Sequence, residues 1–218
     1  EPHFERIGAQ LIALGLRAAV VNGTCESDWE RVASLARRFS WVRPSYGLHP
    51  WDAGNRGPNW LVDLKSRLAA DPGAAVGEVG LDRWILDRAR PEDPRLAGLR
   101  RAPLDEQTEV FLTQLNLAAA DNRPVSIHCL DAWGPMQEIL RASPLPARGF
   151  LLHAYGGPRE MIRGFADRGA YFSFNGSFLD PRKERHRAAF LDVPADRLLV
   201  ETDAPAMVPP QMWRTHKL

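Results

Sequence analysis

Four side chains of this 218-residue chain, Glu78, His128, His153 and Asp203, are of the types that hold divalent ions and move protons. Each follows a short apolar run: Ala74-Ala75-Val76 before Gly77-Glu78, Pro124-Val125-Ser126-Ile127 before His128, Gly149-Phe150-Leu151-Leu152 before His153, and Arg197-Leu198-Leu199-Val200 before Glu201-Thr202-Asp203. Runs of this length, bounded by Gly, Pro or charge, read as buried parallel strands. In an α/β barrel all strands end on one face, so residues distant in sequence meet at its mouth. Imidazole and carboxylate are the ligands that hold a divalent ion open to water or substrate. A metal site built from Glu78, His128, His153 and Asp203 is therefore the expectation, set against a plain salt bridge for either carboxylate and a hydrogen-bonded structural role for either histidine.

Neighbouring residues sharpen that reading. Glu78 lies between glycines in VGEVGLD, where small neighbours admit close backbone approach, and a carboxylate at a buried strand end must be paired or metal-bound. Asp203 precedes Ala204-Pro205, with Pro205 expected to turn the chain out of its strand. His49 in YGLHPW follows another strand and reads as a ligand, a substrate-binding group or a satisfied rim histidine, with substrate contact preferred, while His3, His186 and His216 are expected to be exposed. Residues 83–103 carry six arginines against three carboxylates, which makes Arg83, Arg100 and Arg101 candidates for binding a polyanion.

The elements that must position these groups alternate. Strands are expected from about Ala18, Val42, Ala74, Pro124, Gly149, Ala170 and Arg197, with helices over Ile7–Leu14, Asp28–Phe39 (capped by Ser27 or Asp28), Asn59–Ala70, Asp105–Ala120, Trp133–Arg141 and Arg159–Arg168. Alternation of this kind means a parallel sheet with crossover helices. No G-x-G-x-x-G turn follows the first strand, which disfavours an open doubly wound sheet. The fold expected is a TIM-type (β/α)8 barrel, a single domain over residues 1–218, with the first strand before Glu1 and the last helix after Leu218. Glu1 in place of Met is read the same way, as the start of a segment of a longer protein.

Composition narrows the class. The chain is 44% hydrophobic and 25% charged, enough for a sizeable core, and lacks the ~18 consecutive apolar residues of a membrane span. Cys25 and Cys129 form no disulfide or metal spacing, so a reducing, cytoplasmic setting is expected, with Cys129 turned into the core. The net charge of +1 excludes no partner class, and no obligate protein partner is expected.

The blocks GLHPW, VGEVGLD, QTEVFLTQLNLAAADNRPVSIHCLDAW, LLHAYGG and LLVETDAP, in that order over about residues 3–210, resemble the signature blocks of the TatD family of metal-dependent hydrolases. The resemblance implies an amidohydrolase-type barrel, one or two divalent ions (Mg, Mn or Zn) and phosphodiester hydrolysis at DNA ends. It implies Glu78 as a metal-binding or bridging ligand, His128 and His153 as ligands, Asp203 as ligand and proton handler, and His49 beside the phosphate. Two features depart from the family: its opening His-x-His pair has no counterpart here, and segment 83–103 is longer than the usual connection. Hydrolysis of a lactone, amide or aminoacyl ester on the same scaffold is the alternative chemistry, and a metal-poor binding module the alternative class.

Overall fold

The computed structural model describes residues 4–204, 206, 207 and 209–212. Among the described residues seven strands form one sheet: β1 (Ala19–Gly23), β2 (Val42–Tyr46), β3 (Ala75–Asp82), β4 (Val125–Leu130), β5 (Phe150–Leu152), β6 (Ala170–Asn175) and β7 (Leu198–Glu201). Their order in space is their order in the chain, and every neighbouring pair is parallel. A doubly wound sheet reverses its strand order at a switch point; this one never does, so it curls as a barrel does. β1 and β7 are its edges. β3 is buried from Val76 to Asp82, whereas Val200 on β7 is 83% exposed and Val20 on β1 is 54% exposed. The strand expected before Glu1, the helix expected after Leu218, and His3 and His216 lie outside the described residues. No helix among the described residues is long and apolar enough to cross a membrane.

Helix α1 (Phe4–Ala13) precedes β1, and α2 (Glu26–Arg38), α3 (Trp60–Ala70), α4 (Trp84–Asp87), α5 (Leu104–Ala120), α6 (Trp133–Ala142), α7 (Ile162–Ala166) and α8 (Glu184–Ala189) fill the crossovers. Several differ from expectation: α1 starts three residues before Ile7, and α4 and α8 are not among the expected helices. α2 starts earlier, with Cys25 as its cap, because the Asp28 carboxylate lies in the first turn and reaches back to accept from the N–H groups of Thr24 and Cys25. The helix expected over Arg159–Arg168 is a 3-10 turn, Arg159–Met161, followed by the short α7, and Gly169 at φ +94° turns the chain into β6. Cys129 is in the core as expected, where burial pushes its thiol pKa up.

α5 does more than cover the sheet. Its buried positions Gln107, Val110, Phe111, Gln114, Leu115 and Ala118 repeat at helical spacing, so both glutamines sit on the apolar face, two turns apart. Each clips the backbone of one residue beside the site. The N–H of Leu48 donates to Gln114 Oε1 (2.7 Å), and Gln114 Nε2 donates to the Leu48 carbonyl (3.1 Å). The N–H of Asp82 donates to Gln107 Oε1 (2.8 Å), and Gln107 Nε2 donates to the Asp82 carbonyl (3.1 Å). These amides thus stand in for a neighbouring strand where β2 and β3 diverge. Replacing Gln114 by Leu keeps the volume but leaves the buried N–H and C=O of Leu48 without that partner. A loss of about 2–4 kcal/mol is expected in urea denaturation; a change under ~0.5 kcal/mol would show that water satisfies Leu48 equally well.

Candidate metal centre

Glu78 stands within β3 and not beyond it, which corrects the sequence reading. The β3–β4 register shifts between Val76 and Val79, and that irregularity turns Glu78 toward the mouth. The flanking glycines permit it: Gly77 and Gly80 have φ of 154° and 146°, and a side chain on Gly80 would strike the backbone of His128. His128 lies inside β4, His153 follows β5, and Asp203 lies two residues past β7 at φ 50°, a left-handed conformation uncommon outside glycine. Tyr155, two residues past His153, is fully buried among Trp133, Phe165 and Phe172 and fixes that loop.

Three donor atoms converge. Glu78 Oε1 is 3.2 Å from His128 Nδ1 and 2.8 Å from His153 Nε2, and the two imidazole nitrogens are 3.1 Å apart. Ligands at ~2.1 Å from one ion lie about 3.0 Å apart at an octahedral edge and about 3.4 Å apart at a tetrahedral one. This triangle therefore has the size of one face of a coordination shell. The outer nitrogens support the same reading. His128 Nε2 is 3.0 Å from Asp82 Oδ2, and His153 Nδ1 is 3.6 Å from Glu201 Oε1. The Asp82 hydrogen bond holds a proton on the outer nitrogen of His128 and leaves its inner lone pair for a cation, while Glu201 sets a charge behind His153 without reaching hydrogen-bond distance. The residues fit a divalent ion. Asp203 forms a further donor group with Glu78 and His153, and His49 forms one with Glu78 and His128, the atoms of each group lying within 4.8 Å of one another, so the Glu78 carboxylate is shared by two sets of possible ligands.

His49 belongs to the cluster but differs in kind. Its Nε2 is 3.3 Å from Glu78 Oε1, and its Nδ1 accepts from the backbone N–H of Trp51 at 3.2 Å. A backbone N–H can only donate, so the ring proton resides on Nε2, which points into the site as a donor and not as a ligand. Burial lowers the His49 pKa, and the like charge of His128 adds to that.

Electrostatics bind the cluster together. Burial alone would raise the Glu78 pKa, but His153, His128 and His49 outweigh it and hold the carboxyl well below its usual range. Burial would likewise lower His153, yet Glu78 and Glu201 keep it well above its ordinary value. For Asp203, burial dominates and pushes the carboxyl up to about 6. Asp82 and Glu201 join the candidate site beside the residues that sequence reasoning names. Asp82 is fully buried, accepts from Trp51 Nε1 (2.6 Å) and the Ile85 N–H (3.0 Å), and orients His128. Glu201 accepts from Ser173 Oγ and from Asn175 Nδ2 (3.1 Å). Their presence in VGEVGLD and VETDAP was the available signal, but which partner each carboxylate meets depends on contacts across strands.

The arginine segment reads differently in three dimensions. Arg101 donates to the carbonyls of Ile85 (3.0 Å), Ala89 (3.2 Å) and Arg90 (2.9 Å), so its guanidinium ties the segment together. Arg100 donates to both oxygens of Glu106 (2.9 and 2.6 Å) and to the Gly54 carbonyl (2.8 Å). Arg100 and Arg101, candidates for substrate contact, are thus both engaged with groups of the protein itself. Arg83 is 46% exposed and 3.7 Å from Asp87. His186, expected to be exposed, is half-buried and stacks on Phe178 with ring centroids 5.0 Å apart.

Sequentially ordered parallel strands, a mouth of histidines and carboxylates, and outer carboxylates behind the rings define the class of metal-dependent α/β-barrel hydrolases. Residues 2–217 match the family described as TatD related DNase, and the chain belongs to that family. It is 32% identical over 203 residues to the 3'-5' ssDNA/RNA exonuclease TatD of Cronobacter turicensis, covering 92% of this chain and 72% of that protein. It is 29% identical to the uncharacterized metal-dependent hydrolase YabD of Bacillus subtilis, over 87% of this chain and 69% of that one. Among solved structures, YjjV, a TatD homologue from Escherichia coli K12, superposes with a TM-score of 0.79 at 27% identity, covering 94% of this chain and 74% of its own.

Asp82→Asn should lower the affinity for Mn2+ or Zn2+ about 10- to 100-fold in calorimetric titration, because the amide no longer fixes the His128 tautomer; equal affinity would remove Asp82 from that role. A second carboxylate near the mouth, Asp52, is raised to about 6 by burial first and then by Asp28 and Glu26. A raised carboxyl pKa favours the folded state fully below its ordinary 3.8 and loses that contribution as pH rises through about 6. Asp52→Asn is expected to remove that decline, roughly 1 kcal/mol once solvent screening of a partly exposed group is allowed for, in urea denaturation at pH 4 and pH 7. Parallel pH curves for both proteins would contradict it.

Proposed function

We propose that this chain is a divalent-metal-dependent phosphodiesterase that hydrolyses single-stranded DNA or RNA from an end, with residues 1–218 acting as one catalytic domain. The observation that carries the reading is the convergence of Glu78 Oε1, His128 Nδ1 and His153 Nε2 within 3.2 Å of one another, next to Asp203 with its pKa at about 6. Membership of the TatD related DNase family and the exonuclease relatives support the choice of substrate.

Each residue then has a task. Glu78, His128, His153 and Asp203 hold one or two divalent ions, of which Mg, Mn and Zn all suit a mixed nitrogen and oxygen donor set. Such an ion supplies Lewis-acid charge at the phosphoryl group and acidifies water. Asp203 accepts the proton from the attacking water, and its position beside Glu78 and His153 supports that role. His49 offers its Nε2–H to a phosphoryl oxygen and strengthens that bond as charge develops. Asp82 and Glu201 keep the imidazoles oriented throughout the cycle.

The test is hydrolysis of 5'-end-labelled single-stranded DNA and RNA with Mg2+, Mn2+ or Zn2+, beside a panel of lactones and cyclic amides. Metal-dependent shortening of the oligonucleotides is expected, and turnover of the panel alone would overturn the proposal. Asp203→Asn should cut the rate at least ~100-fold while metal stays bound, since an amide of the same volume accepts no proton. Near-normal turnover by that variant would take the base role from Asp203.

A further inference from the structure

Segment 83–103 is ordered around a small core of its own, formed by Ile85, Ala89 and Leu96 with Trp51, Trp84, Leu86 and Leu99 packed against it. Arg101 ties its backbone at three carbonyls. Two flat rings face each other there: Trp51 and Trp84 are 6.0 Å apart between centroids and 20° from parallel. The guanidinium of Arg95 lies over both, 4.9 Å from the Trp84 ring and 5.9 Å from that of Trp51. Asp93 grips the edge of this guanidinium in a fork (2.9 and 2.6 Å), yet the arginine side chain stays 59% exposed. The stack adjoins the metal centre. Trp51 donates to Asp82, and its ring lies 5.8 Å from His49, which lies 4.4 Å from His128.

We propose that Arg95, Trp84 and Trp51 form a nucleobase subsite, on which the base of a nucleotide flanking the scissile phosphodiester stacks while its phosphate reaches the Glu78 cluster. The inference rests on the nuclease reading above and adds where a base is held. Aromatic faces and guanidinium planes are the surfaces on which single-stranded bases stack, with little sequence preference because every base has a π face. The Asp93 fork decides between stacking and phosphate contact. It neutralises Arg95 and fixes the side chain by its edge, so what is offered outward is a plane and not a net charge.

The experiment reads binding and not turnover. The full chain in EDTA is titrated with fluorescein-labelled single-stranded DNA that is intact or carries one abasic site, moved position by position from the 3' end, with anisotropy as the signal. At one position, removing the base should weaken wild-type binding about tenfold. Trp84→Ala and Arg95→Ala should bind the intact strand about tenfold more weakly and lose nothing further at that position, and Trp84→Phe should recover part of the loss. The slope of affinity against salt should be the same for Arg95→Ala and wild type, because a lost phosphate contact would reduce it by about 0.7. Equal losses in wild type and variants at every abasic position, a reduced salt slope, or no wild-type binding would each overturn the subsite. Should Trp84→Ala misfold by circular dichroism, the exposed Arg95→Ala carries the comparison. Wild type that binds with this pattern but hydrolyses neither DNA nor RNA with any metal would overturn the nuclease reading and leave the subsite standing.

Discussion

A carboxylate at the centre of a buried sheet is tolerable only when its charge is met, and in this protein three imidazoles meet one oxygen of Glu78. The desolvation of that group works against the fold, so the surrounding residues must hold the compensating charges within hydrogen-bond reach. Much of the architecture follows from the demand. Gly77 and Gly80 clear space for the backbone beside Glu78, and the break in β3–β4 register turns its side chain toward the mouth. His128 reaches it from within β4, and His49 and His153 from the residues just past β2 and β5.

Around this centre each donor has a second residue that fixes its orientation. Asp82 stands behind His128 and Glu201 behind His153, while the backbone N–H of Trp51 sets the tautomer of His49. The supports are themselves supported. Gln107 holds the backbone of Asp82 and Gln114 that of Leu48, next to His49, so one face of α5 positions two separate parts of the site. An error of 1 Å in such a site weakens both ion binding and proton transfer, and short reciprocal hydrogen bonds from a rigid helix are the means by which that error is kept small.

Charge counting alone would have made the arginine-rich segment a phosphate clamp. Its carboxylates and carbonyls absorb most of that charge: Glu106 pairs with Arg100 and with Arg56, Asp93 with Arg95, and Asp131 lies 3.4 Å from Arg88. The outcome is a well-packed flap whose character is aromatic as much as cationic, next to a family site. A longer connection at this point in the barrel is a place where substrate preference can change without disturbing the donors.

Much of the protein was legible before any coordinates. Alternation of apolar runs and amphipathic spacing is enough to locate the seven described strands and to make the sheet parallel, because short apolar runs between helical segments mark parallel strands whether or not each is covered on both faces. The positions of Glu78, His128, His153 and Asp203 beside those runs pointed to one mouth, since strand ends in a barrel converge whatever the sequence between them. What the sequence could not decide was pairing. Whether Asp82 meets a histidine or an arginine, whether Arg101 meets substrate or the carbonyl of Ile85, and which nitrogen of His49 carries the proton depend on groups that sequence order does not bring together. Hydrogen bonds form over about 3 Å, and the register of β3 on β4 and the curl of the sheet determine which groups come that close. Residue types and spacing therefore fixed the chemistry available to this chain, and the tertiary structure assigned each group its partner.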